Sequence, residues 1–223
     1  MSEVHPNSLV KLPKNTSQIR NVDIAVVGGG IVGKACALGV AQLGLQTVQI
    51  APDLGQVVLA PEGSQWGQRI YAFSPGTQKL LAHLQVWDAV DHSRLQAVRD
   101  MRIFGDRGQN QDQLHLSAFE AGTPQLAWIG ESNVIEHTLD QASRFQSKLE
   151  RINGAVENIQ VIADGVLLHL QDGSSLRAQL LIAADGANSP IRSELGIPAK
   201  EESYSQNAVV ANWICSSAHL ETA

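Results

Sequence analysis

Three glycines carry the first chemistry this sequence offers. Gly28, Gly30 and Gly33, in "DIAVVGGGIVG", fit the pattern G-x-G-x-x-G, and Gly29 adds a fourth glycine. In such a pattern the first glycine permits a tight strand-to-helix turn. The second lets the backbone approach a pyrophosphate, and the third lets the helix pack closely on the strand. The unpaired amides and positive dipole end of the helix then face the phosphates. The same residues could also form a purely structural turn; an apolar strand before them and a helix after them favour a dinucleotide. Such a site wants a carboxylate for the adenosine ribose at the end of the next strand, roughly 20 residues on. The stretch "QIAPD" puts Ala51 there. Losing a charge-assisted hydrogen bond removes about 1.5–3 kcal/mol. A 2'-phosphate ligand would explain the missing acid, but it needs a nearby Arg. Residues 51–67 contain no Arg or Lys, so a 2'-phosphate in this pocket is disfavoured. Asp53 could reach back, although Pro52 stiffens the link. The expectation is a dinucleotide site with a weakened ribose clamp.

A second constellation lies in "LLIAADGANSPIR", where Asp185 and Gly186 follow an apolar strand and Asn188, Ser189 and Arg192 come close behind. Read alone, these residues fit equally a hairpin turn with a surface arginine. No residue reads as a chemical acid or base. His83, His115, His137 and His169 fall in helix or strand patterns without a visible partner and are read as structural. Cys36 and Cys215 make no metal or redox spacing and read as free thiols in a reducing compartment. No metal site is expected.

These residues need elements to hold them. "VDIAVV" is a near-continuous apolar run suited to a strand buried on both faces of a parallel sheet. "IVGKACALGVAQLG" reads as a small-residue helix stopped near Gly44, and "LQTVQI" as the strand completing a βαβ unit. Residues 53–68 are loop-like. "SPGTQKLLAHLQVWDAV" opens on a Ser-Pro cap signal with helical spacing behind it. From Met101 the period becomes two, with "MRIFGD" and "QLHLSAF" flanking the turn "DRGQNQ". "ESNVIEHTLDQASRFQSKL" is the longest polar-faced helix candidate. Short strands broken by Asp-Gly turns follow, and "NAVVANWI" reads as a last, buried strand.

The bulk numbers exclude several classes. At 223 residues, with 43% hydrophobic and 17% charged residues, the chain describes a globular protein with a real core. A net charge of -6 argues against a nucleic-acid partner. Its apolar runs are strand-sized and too short to span a bilayer. The first twenty residues lack a signal-like apolar core and read as a flexible leader.

Taken together, the chain resembles the flavin-dependent aromatic hydroxylases of the para-hydroxybenzoate hydroxylase type, and is most similar to their ubiquinone-biosynthesis branch. The residues that carry this are "DIAVVGGGIVG", "QRIYAFSPGTQKLLAHLQVWDAV", "LAWIGESNVIEHTL", "GAVENI", "LRAQLLIAADGANSPIRSELGI" and "YSQNAVVAN", spread over about residues 22–212. The resemblance implies an α/β fold: a Rossmann-like FAD-binding domain with inserted antiparallel strands and the start of a second, substrate-binding sheet. It implies a leader over 1–21, an FAD-binding domain over 22–202 with 100–130 a candidate part of the substrate sheet, and the start of the substrate domain over 203–223. Gly28, Gly30 and Gly33 would hold the FAD pyrophosphate, and Arg69 would lie against the FAD phosphates. Val156 would border the adenine at the family's third strand. Asp185 and Gly186 match an Asp-Gly motif associated with FAD and the reduced pyridine nucleotide, and Arg192 falls where a nicotinamide-nucleotide contact is expected.

The implied activity is an FAD-dependent monooxygenase. Flavin reduced by NAD(P)H and reacted with O2 hydroxylates the ring of a polyprenylated phenol. It would work in the cytoplasm or peripherally at the inner membrane, in contact with a biosynthetic complex or as a homo-oligomer. Two departures stand out: Ala51 replaces the ribose acid, and no segment matches the family's later Gly-Asp motif, which holds the ribityl chain. A fragment of a longer protein and a truncated remnant that binds nucleotide weakly or serves as a subunit contact both fit those departures. An NAD-dependent dehydrogenase is disfavoured by "ADGANSPIR" and the missing acid.

Overall fold

The apolar run after Asn21 becomes the centre of the main sheet. The computed structural model describes residues 19–52, 54–55, 66–67, 69–105, 113–209 and 213–223. Strand β1 (Arg20–Val27) is flanked on both sides by parallel neighbours, β2 (Thr47–Ala51) and β11 (Ser175–Ala183). With β8 (Leu149–Asn153), β9 (Val156–Ile162) and β10 (Gly165–Leu170) they form a six-stranded sheet in the order β8-β2-β1-β11-β10-β9. The first four strands are parallel, and the last two are added as antiparallel hairpins. Central placement explains the unbroken apolar reading of β1, since Ala25 and Val26 have no exposed surface.

Helix α1 (Ile31–Gln42) makes the crossover from β1 to β2 and sets Ala37 against Ile24 and Val26. On the opposite face Ala25, Val48 and Ile50 pack with Leu168, Leu170, Leu176 and Ala178. Gly44, at φ +88°, ends the helix in the left-handed region glycine tolerates best. Helix α3 (Ser132–Arg144) packs along α1 and delivers the chain into β8.

A second sheet lies on the far side of these helices. It has the order β3-β7-β4, from β3 (Ile70–Phe73), β7 (Ala127–Glu131) and β4 (Leu95–Val98). Between it and the helices sits the largest core cluster, with Phe73, Leu81, Trp87, Ile135 and Leu139 at its centre. Helix α2 (Pro75–His83) contributes Leu81; Ser74 caps it, its Oγ accepting from the Thr77 amide at 3.1 Å, with Pro75 in the first turn. A two-stranded ribbon, β5 (Asp100–Phe104) with β6 (Gln113–Ser117), stands apart from both sheets. The last residues run beside it in parallel: the Arg102 amide donates to the Ala223 carbonyl at 2.8 Å, and the Ala223 amide to the Asp100 carbonyl at 2.9 Å.

The expected α/β fold is observed, and both Asp-Gly hairpin turns hold, at Gly165 and Gly173. Four differences have physical reasons. The helix expected through Leu149 stops at Arg144, because Leu149–Asn153 is drawn into the sheet beside β2. The short strands β3, β4 and β7 show no strict alternation of polar and apolar residues, so no period marks them. The "ADG" turn leads not into a hairpin but into a short helix, α4 (Pro190–Glu194). Finally, "NAVVANWI" is not a buried strand where it is described. Residues 207–209 and 213–214 pair with no strand, and Val209, Trp213 and Ile214 are at least 84% exposed. Apolar β-branched residues form a strand only where a neighbour completes the ladder, and residues 210–212 lie outside the described set.

Candidate functional site: a nucleotide cleft at the strand ends

All four parallel strands end at one place. The residues at and just beyond the carboxyl ends of β1, β2, β8 and β11 line a cleft of about 480 Å³. Its walls are Gly28–Gly30, Ala51–Pro52, Gly154–Val156 and Ala184–Gly186, with Ile191 of α4. Ligands of open α/β sheets bind outside the carboxyl ends of the strands for this reason: loops, not side chains of the core, face the solvent there.

The glycine turn has no room for side chains. Gly28 sits at φ +140°, and a Cβ on it would lie 2.1 Å from the Ala184 carbonyl oxygen of the turn after β11. A Cβ on Gly33 would lie 2.3 Å from the Gly28 carbonyl oxygen. Those two glycines seat α1 onto the turn. Gly30 is different: nothing lies within 4 Å of where its Cβ would be, so its face is open. It caps α1 without a side-chain hydrogen bond, and the first turn holds no acidic residue. Among the described residues nothing accepts from the amides of Gly29 or Gly30. Free amides at a helix start, with no acidic residue in that first turn, are an anion site. The residues present therefore fit a pyrophosphate.

The adenosine side fits less completely. Ala51 ends β2, lines the cleft and offers only a methyl group. Asp53 lies outside the described residues. Val156 lines the cleft, but the third parallel strand is β8; Val156 opens the next strand, β9, after the Gly154–Ala155 turn. Asp185 and Gly186 also reach the cleft. The Asp185 carboxylate accepts from the Ser189 hydroxyl at 2.6 Å and the Ile191 amide at 3.1 Å, so it holds the turn into α4. Gly186 supplies the positive φ of +95° that this turn needs.

The two arginines are not in the lining. Arg69 is exposed, with its guanidinium 5.5 Å from the Tyr71 ring centre, and its carbonyl accepts from the Ser132 amide. Arg192 sits half-buried on α4 beside the cleft wall. His115 pairs with Asp100, His137 with Gln141 and His169 with Ser175, each at 2.8 Å, and none of the three lines the cleft.

Sequence reasoning missed three polar groups that the fold buries. Gln49, with no exposed surface, points from β2 beneath the glycine turn, where its Nε2 donates to the Gly28 carbonyl at 2.9 Å. Lys34 of α1 is buried against Asp140 of α3 at 3.0 Å, and Arg151 of β8 donates to the same carboxylate. Glu131 ends β7 with its carboxylate bound in two places by Arg94, at 2.6 and 2.8 Å, and Arg94 lies 4.1 Å over the Trp66 ring. The one legible signal was a lysine inside an otherwise small, apolar helix.

With this geometry in hand, comparison with known proteins is decisive. The family model described as "FAD binding domain" matches residues 21–222. The chain belongs to that family. Among curated relatives of this FAD-binding domain is the 3-demethoxyubiquinol 3-hydroxylase of Escherichia coli K12. It is 34% identical over 196 residues, which is 86% of this chain and 48% of the relative. The human ubiquinone biosynthesis monooxygenase COQ6, mitochondrial, is 29% identical over 205 residues, 85% of this chain and 42% of the relative. The chain thus spans about half the length of the curated relatives it matches. Among solved structures, the p-nitrophenol 4-monooxygenase PnpA of Pseudomonas putida DLL-E4 shares the fold. Its TM-score is 0.64 at 24% identity, over 80% of this chain and 44% of that one. Among the described residues no helix is long and apolar enough to cross a membrane.

Proposed function

We propose that this chain holds FAD for an aromatic-ring monooxygenase of ubiquinone biosynthesis, one that hydroxylates a polyprenylated phenol with NAD(P)H and O2. The observation that carries the reading is the convergence of Gly28–Gly30, Ala51, Val156 and Asp185–Gly186 on a single cleft. The names of its relatives supply the substrate class. Bound FAD supplies the redox and oxygen chemistry that no side chain in the cleft provides. The chain's own part is to bind and orient. The free amides of Gly29 and Gly30 take the pyrophosphate, and Val156 borders the adenine. Asp185 and Gly186 fix the turn that closes the cleft. Arg69 and Arg192 approach from outside the lining, as contacts to the FAD phosphates and the nicotinamide nucleotide.

We assign residues 22–202 to the FAD unit. The pairing of residues 221–223 with β5 supports grouping 203–223 with the β5–β6 ribbon, as the start of a substrate-binding sheet. A prenylated substrate also argues for work at the inner-membrane surface. Titration of the purified chain with FAD, followed by flavin fluorescence and competed with ADP, tests the reading. Binding weaker than micromolar, displaced by ADP and with partial quenching, is expected from the missing ribose acid. Preference for NAD over FAD, or no binding of either, overturns it.

A further inference from the structure

The glycine turn is held from below by a side chain that no dinucleotide pattern calls for. Gln49 is fully buried in the middle of β2, between Val26 of β1 and Arg151 of β8. Its Nε2 donates to the Gly28 carbonyl at 2.9 Å, while its Oε1 is buried without a hydrogen-bond partner among the described residues. The orientation of the amide is forced, because a carbonyl oxygen can only accept. A leucine or valine would fill this strand position without an orphaned oxygen, so packing alone does not explain a glutamine here.

The peptide it grips explains it. A trans peptide directs its C=O and N–H to opposite sides. Holding the Gly28 carbonyl inward, against Gln49 and beneath Gly33, turns the Gly29 N–H outward. That amide has no acceptor among the described residues, and it belongs to the cleft wall. Gly28 and Gly29 are the residues best able to let this peptide rotate. A rotated peptide would present an oxygen, not an N–H, to an anion. We infer that Gln49 is a positioning residue for phosphate binding: it locks the Gly28–Gly29 peptide so that the Gly29 amide faces the pyrophosphate of the bound nucleotide. The inference rests on the FAD-binding reading and adds to it a residue outside the ligand's reach. It also offers a physical partner to the loss at Ala51, two residues along the same strand. With the ribose clamp weakened, the grip on the phosphates matters more.

The test uses the 223-residue chain, Gln49→Met (similar volume, no donor) and two probes, ADP and adenosine. The variant is expected to bind ADP roughly tenfold or more weakly, the loss of one hydrogen bond to a charged group. Its adenosine affinity should be unchanged. Its urea midpoint should stay near that of the parent, because removing the orphaned Oε1 offsets the unpaired Gly28 carbonyl. In parallel, the Gly29 amide of the parent should show one of the largest 15N–1H shift changes on adding inorganic pyrophosphate, a readout that stands if the variant fails to fold. Equal ADP affinity in the two chains, equal weakening for ADP and adenosine, or a Gly29 amide that ignores pyrophosphate overturns the inference alone. A parent chain that binds neither FAD nor ADP removes the FAD reading itself.

Discussion

The parallel half of the molecule and its β5–β6 ribbon are built from similarly apolar residues and meet opposite fates. In β1, β2 and the sheet-facing side of α1 the apolar side chains are buried: Val26, Ala37, Val48 and Ile50 have no exposed surface. In the ribbon, Ile103, Phe104, Leu114 and Leu116 are each 42–54% exposed. The difference is one of neighbours. A central strand has a strand on either side and packing on both faces, whereas the ribbon has only the short pairing of residues 221–223 beside β5, and a two-stranded ribbon is marginal by itself. The nucleotide cleft sits on the rigid half, where buried strands fix the loops that must meet a ligand within fractions of an ångström. The ribbon and the residues beside it leave apolar surface open to solvent.

The contrast can be broken most severely at Asp140. This carboxylate joins α1, α3 and β8 by accepting from Lys34 and Arg151, and removing it leaves a lysine that is 2% exposed with only the longer pair to Glu136, at 3.5 Å. Asp140→Ala should cost about 3–5 kcal/mol in urea unfolding. A cost under 1 kcal/mol would mean that the helices dock on the sheet without this network.

A smaller effect, on binding, sharpens the picture of the cleft. Ala51→Glu restores a carboxylate at the end of β2 and should strengthen ADP binding roughly tenfold or more, about 1.5–3 kcal/mol. Isothermal titration that shows no gain would place the ribose away from Ala51 or give its hydrogen bond to Asp53.

Smaller again is the ion pair between Arg20 and Glu150, which ties the outer ends of β1 and β8 across β2. The hydrogen bond from Arg20 holds the Glu150 carboxyl below its ordinary 4.5, burial opposing it. Because the folded value is the lower one, the pair stabilises above the unfolded value of 4.5 and the contribution disappears as pH falls through the folded one. Both side chains are nearly half exposed, so Glu150→Gln should cost about 0.2–1 kcal/mol at pH 7, less at high salt and less at about pH 3, below the unfolded value. Thermal melts at the two pH values check the sign.

The least effect on stability is expected in the ribbon. Phe104→Ser should stay within about 0.5 kcal/mol of the parent, since half of the ring is already in water. It should lower the rise of scattered mass with concentration that the exposed ribbon predicts for the parent. A large loss of stability would show the ribbon to be as integral as the parallel half.

Much of the cleft was legible in the residues. Gly28 and Gly33 announce their turn because only glycine meets its positive φ at Gly28 and its close approaches at both, and Gly30 completes the pattern with an open face. The period of two marked β5, β6 and the Asp-Gly hairpins, and the resemblance set Val156 and Asp185–Gly186 beside the cleft. Strands β3, β4, β7 and β8 were not legible, because "IYAF", "LQAV", "AWIGE" and "LERIN" show no strict alternation of polar and apolar residues and acquire their state from the sheet they join. "NAVVANWI" is the reverse case, with strong local preference and no partner where it is described. The amino-acid sequence by itself determined the glycine turn, the crossover helix and the missing ribose acid, all of which depend on neighbours a few residues away. Only the tertiary structure decided that Gln49 lies beneath Gly28, that Lys34, Asp140 and Arg151 share one buried site, and that Arg69 and Arg192 stand outside the cleft lining. Those placements depend on contacts between residues 11 to 106 positions apart, which no local pattern encodes.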